Sequence, residues 1–181
     1  MRLRPDLPEV HLHAAFHLYK CYRNYERARV HIAIAERALP NNSLALAGRA
    51  WIDRREGRLE ESTRCLEKAL LLDPRNAEFV KHLAVNYWRL RRNRDFERTY
   101  DRVFVLRPEE KPLLMLERAF LTLHAKADLK GFRDALGALP SSMKNDKRIL
   151  SLRFLHSMCC ARLDDGERNS QGKLEGRIVL F

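Results

Sequence analysis

Apolar residues recur along this chain at helical spacing, in paired stripes separated by turn residues. Leu12, Ala15, Phe16 and Tyr19 follow i, i+3, i+4, i+7 and so share one face of a helix. Asn24 breaks that run, and Tyr25, Ala28, Ile32 and Ala35 carry a second stripe to Leu39-Pro40. The next pair is Leu46, Ala50 and Trp51, then a turn at Gly57, then Leu59, Ser62, Leu66, Ala69 and Leu70, closed by Asp73-Pro74. A third pair follows: Val80, Leu83, Ala84 and Tyr87, then Phe96, Tyr100, Val103 and Phe104, around a turn Arg91-Arg92-Asn93 that has no glycine. Leu113, Leu116, Phe120 and Leu123 precede Leu129, Phe132, Ala135 and Leu136 in a fourth pair. Ile149, Leu152, Leu155, Met158 and Cys159 predict one more helix ending near Asp165-Gly166.

The pairs are periodic. Pro40, Pro74 and Pro108 stand 34 residues apart (74 − 40 and 108 − 74), while Pro140 follows after 32 (140 − 108). A proline on a fixed period closes one helical hairpin and opens the next, which is the pattern of a stacked repeat. The expected division is 9–42, 43–76 and 77–110, a degenerate 111–140, then a linker and extra helix over 141–166. Residues 1–8 read as the exit of a preceding repeat or an N-terminal extension. Residues 167–181 have no apolar stripe until Ile178–Phe181 and read as a disordered tail. The predicted fold is all-α, about four hairpins plus a further C-terminal helix, with no strands. Both ends look like cuts through a longer array, so modest stability and self-association through the open ends are expected.

Composition narrows the class. The chain has 181 residues, 45% hydrophobic and 33% charged, which fits a folded soluble protein. It lacks the roughly 18 consecutive apolar residues of a membrane span and the apolar run of a secretory signal. The expected location is cytoplasmic. Cys21, Cys65, Cys159 and Cys160 form no C-x-x-C pair and read as free thiols in a reducing compartment. A formal charge of +11 favours acidic partners, although much of it is spread over solvated helix faces.

These residues resemble the tetratricopeptide repeat (TPR) family, whose consensus places small residues at three points of the hairpin and proline near its end. Ala50, Ser62, Ala69 and Pro74 match those places, with Gly57 at the turn; Ala28, Ala35 and Pro40 match before them, and Ala84 and Pro108 after. Phe16, Phe96 and Val103 depart from the small-residue rule. The resemblance covers Glu9 to Pro140 and is similar in style to TPR arrays of bacterial signalling proteins. It implies a right-handed superhelix with a concave groove lined by the first helix of each hairpin. The groove positions it assigns are Val10, His13, His17, Lys20 and Cys21; Leu44, Ala47, Trp51, Arg54 and Arg55; and Glu78, Lys81, Val85, Trp88 and Arg89. Such a groove is basic with two tryptophans and suits an acidic peptide: Arg and Lys pair carboxylates while Trp anchors apolar groups. The carboxylate clamp of the chaperone-binding subset is not matched, because His13, His17, Gly48, Glu78 and His82 stand where it needs other residues.

Other chemistry is thinly signalled. His13, His17 and Cys21 share a helical face as metal ligands could, but no fourth ligand is nominated, and groove or packing roles are expected instead. No nucleotide, hydrolase or zinc-protease motif occurs, so neither enzyme activity nor a cofactor is expected. The run Trp88 to Arg94 is the densest basic patch and supports a second reading, a helical-repeat module for RNA. The first reading is a protein–protein interaction scaffold.

Overall fold

The computed structural model describes residues 7–126, 128–143 and 149. Among them the helices are α1 (Pro8–His17), α2 (Tyr25–Ala38), α3 (Ser43–Arg55), α4 (Leu59–Leu72), α5 (Ala77–Arg89), α6 (Asn93–Leu106), α7 (Lys111–Lys126) and α8 (Leu129–Gly137). No strand occurs among the described residues. Helices pair in chain order as hairpins, and α3, α5 and α7 each pack on the second helix of the hairpin before. Helix α1 also touches α3, so the first helices of the first two hairpins lie side by side. The architecture is the all-α, TPR-like stack that the period predicts. The tail expected over 167–181 lies outside the described residues. Of the extra C-terminal helix only Ile149 is described, helical and buried in the apolar cluster that α7 and α8 share.

Caps and turns explain where the helices begin and end. Asn24, Asn42, Asn76 and Asp128 stand at N-caps, and their side chains accept from the backbone N–H of Arg27, Ala45, Phe79 and Gly131. Each of the first three hairpins turns through a left-handed residue: Arg23 (φ 51°), Gly57 (φ 83°) and Arg91 (φ 59°). These lie 34 residues apart (57 − 23 and 91 − 57), so one backbone device recurs on different side chains. The residue after each closes the turn: Arg58 N–H donates to Asp53 O at 2.8 Å and Arg92 N–H to Tyr87 O at 2.9 Å. In the first hairpin α1 widens into a π-helical turn, Leu18–Tyr22, and Asn24 N–H reaches back to Leu18 O at 3.1 Å. A side chain in the left-handed region costs about 1 kcal/mol. Arg91→Gly is therefore expected to raise stability by about 0.5–1 kcal/mol, read as a higher urea midpoint, and Gly57→Ala to lower it.

Small residues set the helix spacing. Ala47, Ala50, Ala69 and Ala84 are fully buried at the crossings of α3, α4 and α5, where Leu66, Val80 and Val103 fill the core. At Gly48 a Cβ would lie 2.7 Å from Ile32 Cδ1 and 3.0 Å from Phe16 Cε1, so α3 approaches the first hairpin closely there. Phe96 and Val103, the larger departures from the small-residue pattern, are both buried.

A buried polar relay crosses the second and third hairpins. Ser62 Oγ donates to Ala50 O at 2.7 Å and accepts from Asn86 Nδ2 at 2.8 Å, with both side chains fully buried. Ser62→Ala would strand the Asn86 amide in the core. The expected cost is about 1–3 kcal/mol, and Ser62→Ala/Asn86→Leu should recover part of it in the same urea titration.

Candidate functional site

The groove candidates fall on the row of first helices, and the structure gives each a different environment. Trp51 lies between rings from both neighbouring hairpins: its centroid is 5.5 Å from Phe16 and 5.3 Å from His82. Its Nε1–H is buried with no hydrogen-bond partner. Trp88 donates from Nε1 to Leu121 O on α7 at 2.8 Å and packs on the central core. Both tryptophans thus tie adjacent hairpins together. His13, His17 and Lys20 are exposed, and His17 sits edge-on to Tyr22 at 5.2 Å. Because the π turn intervenes, Cys21 leaves the straight-helix register of His13 and His17. No group of three metal-ligating side chains gathers among the described residues.

The cations divide into satisfied and unsatisfied groups. Lys81 Nζ lies 3.6 Å from Glu117 Oε2, linking α5 to α7. Arg55 Nε donates to the Tyr19 hydroxyl at 3.2 Å, with its guanidinium 6.0 Å from the centre of that ring. Arg89 is exposed. Arg54 is half-buried and donates from Nη1 to His82 Nδ1 at 3.0 Å. That bond requires a neutral His82 carrying its proton on Nε2, which faces Glu78 Oε1 at 3.2 Å. Glu78 lies in turn 3.7 Å from Arg107, just past the end of α6.

The electrostatics follow from burial. Loss of water lowers the Arg54 guanidinium from its usual value; the Tyr19 phenol opposes this, whereas Arg55 and Arg89 add to it. Burial likewise lowers His82, against the pull of Glu78. The hydrogen bond from His82, with Lys81 and Arg107 nearby, holds the Glu78 carboxyl down at about 2. Four arginines are half-buried among the described residues: Arg29, Arg54, Arg107 and Arg118. Arg29 pairs with Asp53 and Glu56, Arg107 with Glu78 and Glu110, and Arg118 with Glu97 and Asp101. Arg54 has no acidic partner among the described residues. Sequence reasoning named Arg54 but missed the groups that hold it, His82 and Tyr19. Their i+28 and i−35 separations from Arg54 carry no local signal.

His82 and Glu78 give a signed pH response. Both are lowered in the folded chain, so the unfolded chain binds more protons below about 6.5 for His82 and about 4.5 for Glu78. His31, lowered by burial and by His11 at 2.9 Å, acts in the same direction as His82. Stability is therefore full above pH 6.5 and falls as pH drops through the folded values. Urea midpoints at pH 7.5, 5.5 and 4 should decrease in that order, and His82→Gln should flatten the first step. A flat profile in the wild-type chain would refute the assignment.

Part of the basic run after Trp88 has a structural role. Arg92 pairs with Asp95 at 2.7 Å and lies 4.5 Å from the centre of the Tyr87 ring, while Arg91 supplies the left-handed turn. No helix among the described residues is long and apolar enough to cross a membrane.

No family model matches this sequence, and no curated protein matches it. Among solved structures the fold is similar to that of PilW, described as a widely conserved type IV pilus biogenesis factor. The TM-score is 0.68 over 82% of this chain and 68% of that chain, with 12% sequence identity. At that identity the likeness speaks for the helical-repeat fold alone.

Proposed function

We propose that this chain is a protein–protein interaction scaffold, without catalytic activity, that binds an acidic peptide or acidic partner surface in the groove of its first helices. The observation that carries the reading is Arg54, half-buried, subject to the charges of Arg55 and Arg89, and paired with no carboxylate among the described residues. A desolvated cation without a counter-charge is costly to the isolated fold and is relieved when a partner supplies the anion. Lys20 adds an exposed cation in the π-helical turn of the first hairpin. On this reading the scaffold acts in the cytoplasm, where the thiols of Cys21 and Cys65 stay reduced.

The same surface is a poor platform for RNA bases. Trp51 is flanked by Phe16 and His82, and Tyr19 lies against Tyr25 and under Arg55. Base stacking needs an open aromatic face. Fluorescence anisotropy with a labelled Asp/Glu-rich peptide, a Lys-rich peptide and oligouridine, each at low and high salt, tests the reading. The acidic peptide should bind, and Arg55→Glu/Arg89→Glu should weaken it roughly tenfold or more. Salt-sensitive oligouridine binding without acidic-peptide binding would replace the scaffold reading with the nucleic-acid one.

A further inference from the structure

We propose that Arg54 is the seat for one carboxylate group of the partner, an Asp or Glu side chain or a C-terminal carboxylate, received between Arg54, Arg55 and Arg89 beside the Tyr19 hydroxyl. This rests on the acidic-partner reading and narrows it from a charged face to a single group.

Three observations converge on Arg54. Each of the other half-buried arginines among the described residues is matched by carboxylates of this chain, down to 2.6 Å for Arg29 with Glu56. Arg54 instead faces two further cations, a phenol and an imidazole held neutral by its own hydrogen bond. The side chain is also fixed in place. His82 holds one edge of the guanidinium and is itself held by Glu78, which Arg107 approaches from beyond α6. A planar guanidinium immobilised in this way presents its remaining N–H groups to a planar carboxylate with little further entropy loss. Finally, Arg55 is steadied on Tyr19, so a second guanidinium stands at the edge of the same place.

The seat makes a prediction about stability as well as binding. A structural arginine stabilises the empty fold, whereas a cation awaiting its counter-ion does not. The full chain and its Arg54→Gln, Arg54→Lys and Arg64→Gln forms would be titrated with one synthetic acidic peptide in three versions. These carry a free C-terminus, an amidated C-terminus, or side-chain carboxylates replaced by amides. Arg64, exposed on α4 and paired with Glu61, is the control. Arg54→Gln should weaken binding roughly tenfold or more, with Arg54→Lys in between. Arg64→Gln should bind as the wild type does, and Arg54→Gln should melt no lower than the wild type. Whichever peptide version loses affinity identifies the source of the carboxylate.

Unchanged binding in Arg54→Gln, with loss in Arg55→Glu/Arg89→Glu, would overturn the seat and leave the acidic-partner reading standing. Failure of every version to bind the wild-type chain would overturn both. A melting temperature lowered in Arg54→Gln would make Arg54 a structural residue and likewise overturn the seat. So would inorganic phosphate displacing the peptide at concentrations where acetate does not, since the group received would then be a phosphate.

Discussion

Tyr100→Ala is expected to lower the stability of this chain by about 3–5 kcal/mol and to loosen α7 and α8 from the rest of the stack. Tyr100 is 1% exposed, with Phe96 and Phe104 edge-on at 5.5 Å on either side along α6. Its hydroxyl donates to Glu117 on α7 at 3.3 Å, and burial pushes the phenol well above its usual range. Glu117 also meets Lys81 of α5, so one carboxylate joins three helices. Truncation removes the ring that fills the junction and leaves that carboxylate with a weaker hold. Tyr100→Phe keeps the ring and should cost only about 0.5–1.5 kcal/mol. Urea denaturation followed by circular dichroism separates the two variants, and hydrogen exchange should show faster amides in α7 for Tyr100→Ala. Equal losses in both would mean that the hydroxyl, and not the ring, holds the junction.

Asp53→Ala should be nearly as damaging, by about 2–4 kcal/mol. Asp53 is 2% exposed near the end of α3 and accepts from Arg29 of α2 at 2.8 Å and from Arg58 at the start of α4 at 2.9 Å. Arg49 stands one turn earlier at 3.8 Å, and Glu56 completes the cluster through Arg29 and Arg58. The buried carboxylate pins α2, the α3–α4 turn and α4 to one another. Its arginines are 35%, 48% and 43% exposed and regain water when it is removed, which keeps the loss below that of a fully buried pair. A double-mutant cycle with Arg29→Ala should give a coupling of about 1 kcal/mol. Additive losses would show that Asp53 acts through the other two arginines.

Much of this was legible in the chain. Apolar stripes at helical spacing locate the helices, because one face of each must leave water. Asn42 and Asn76 cap α3 and α5, each standing directly before an apolar run. The turn lacking glycine was visible, but not how it is made. Arg91 takes the left-handed conformation because closing the hairpin outweighs about 1 kcal/mol of local strain.

Charge was the least legible feature. Arg29 and Arg54 are alike in sequence, each an arginine within a helix of mixed character. One meets Asp53 and Glu56 from the next hairpin, while the other meets His82, Tyr19 and two more arginines. Those separations are long, and Coulomb energies depend on distance and burial, which chain order does not encode. Trp51 and Trp88 show the same division. Spacing placed both on first helices, but contact with Phe16, His82 and Leu121 exists only once the hairpins are stacked. The sequence by itself determined that this chain is a helical-hairpin stack, because burial of periodic apolar faces is a local consequence of residue order. Which half-buried arginine among the described residues stands without a carboxylate partner was decided only by packing, which brings distant side chains within hydrogen-bonding range and removes the water between them.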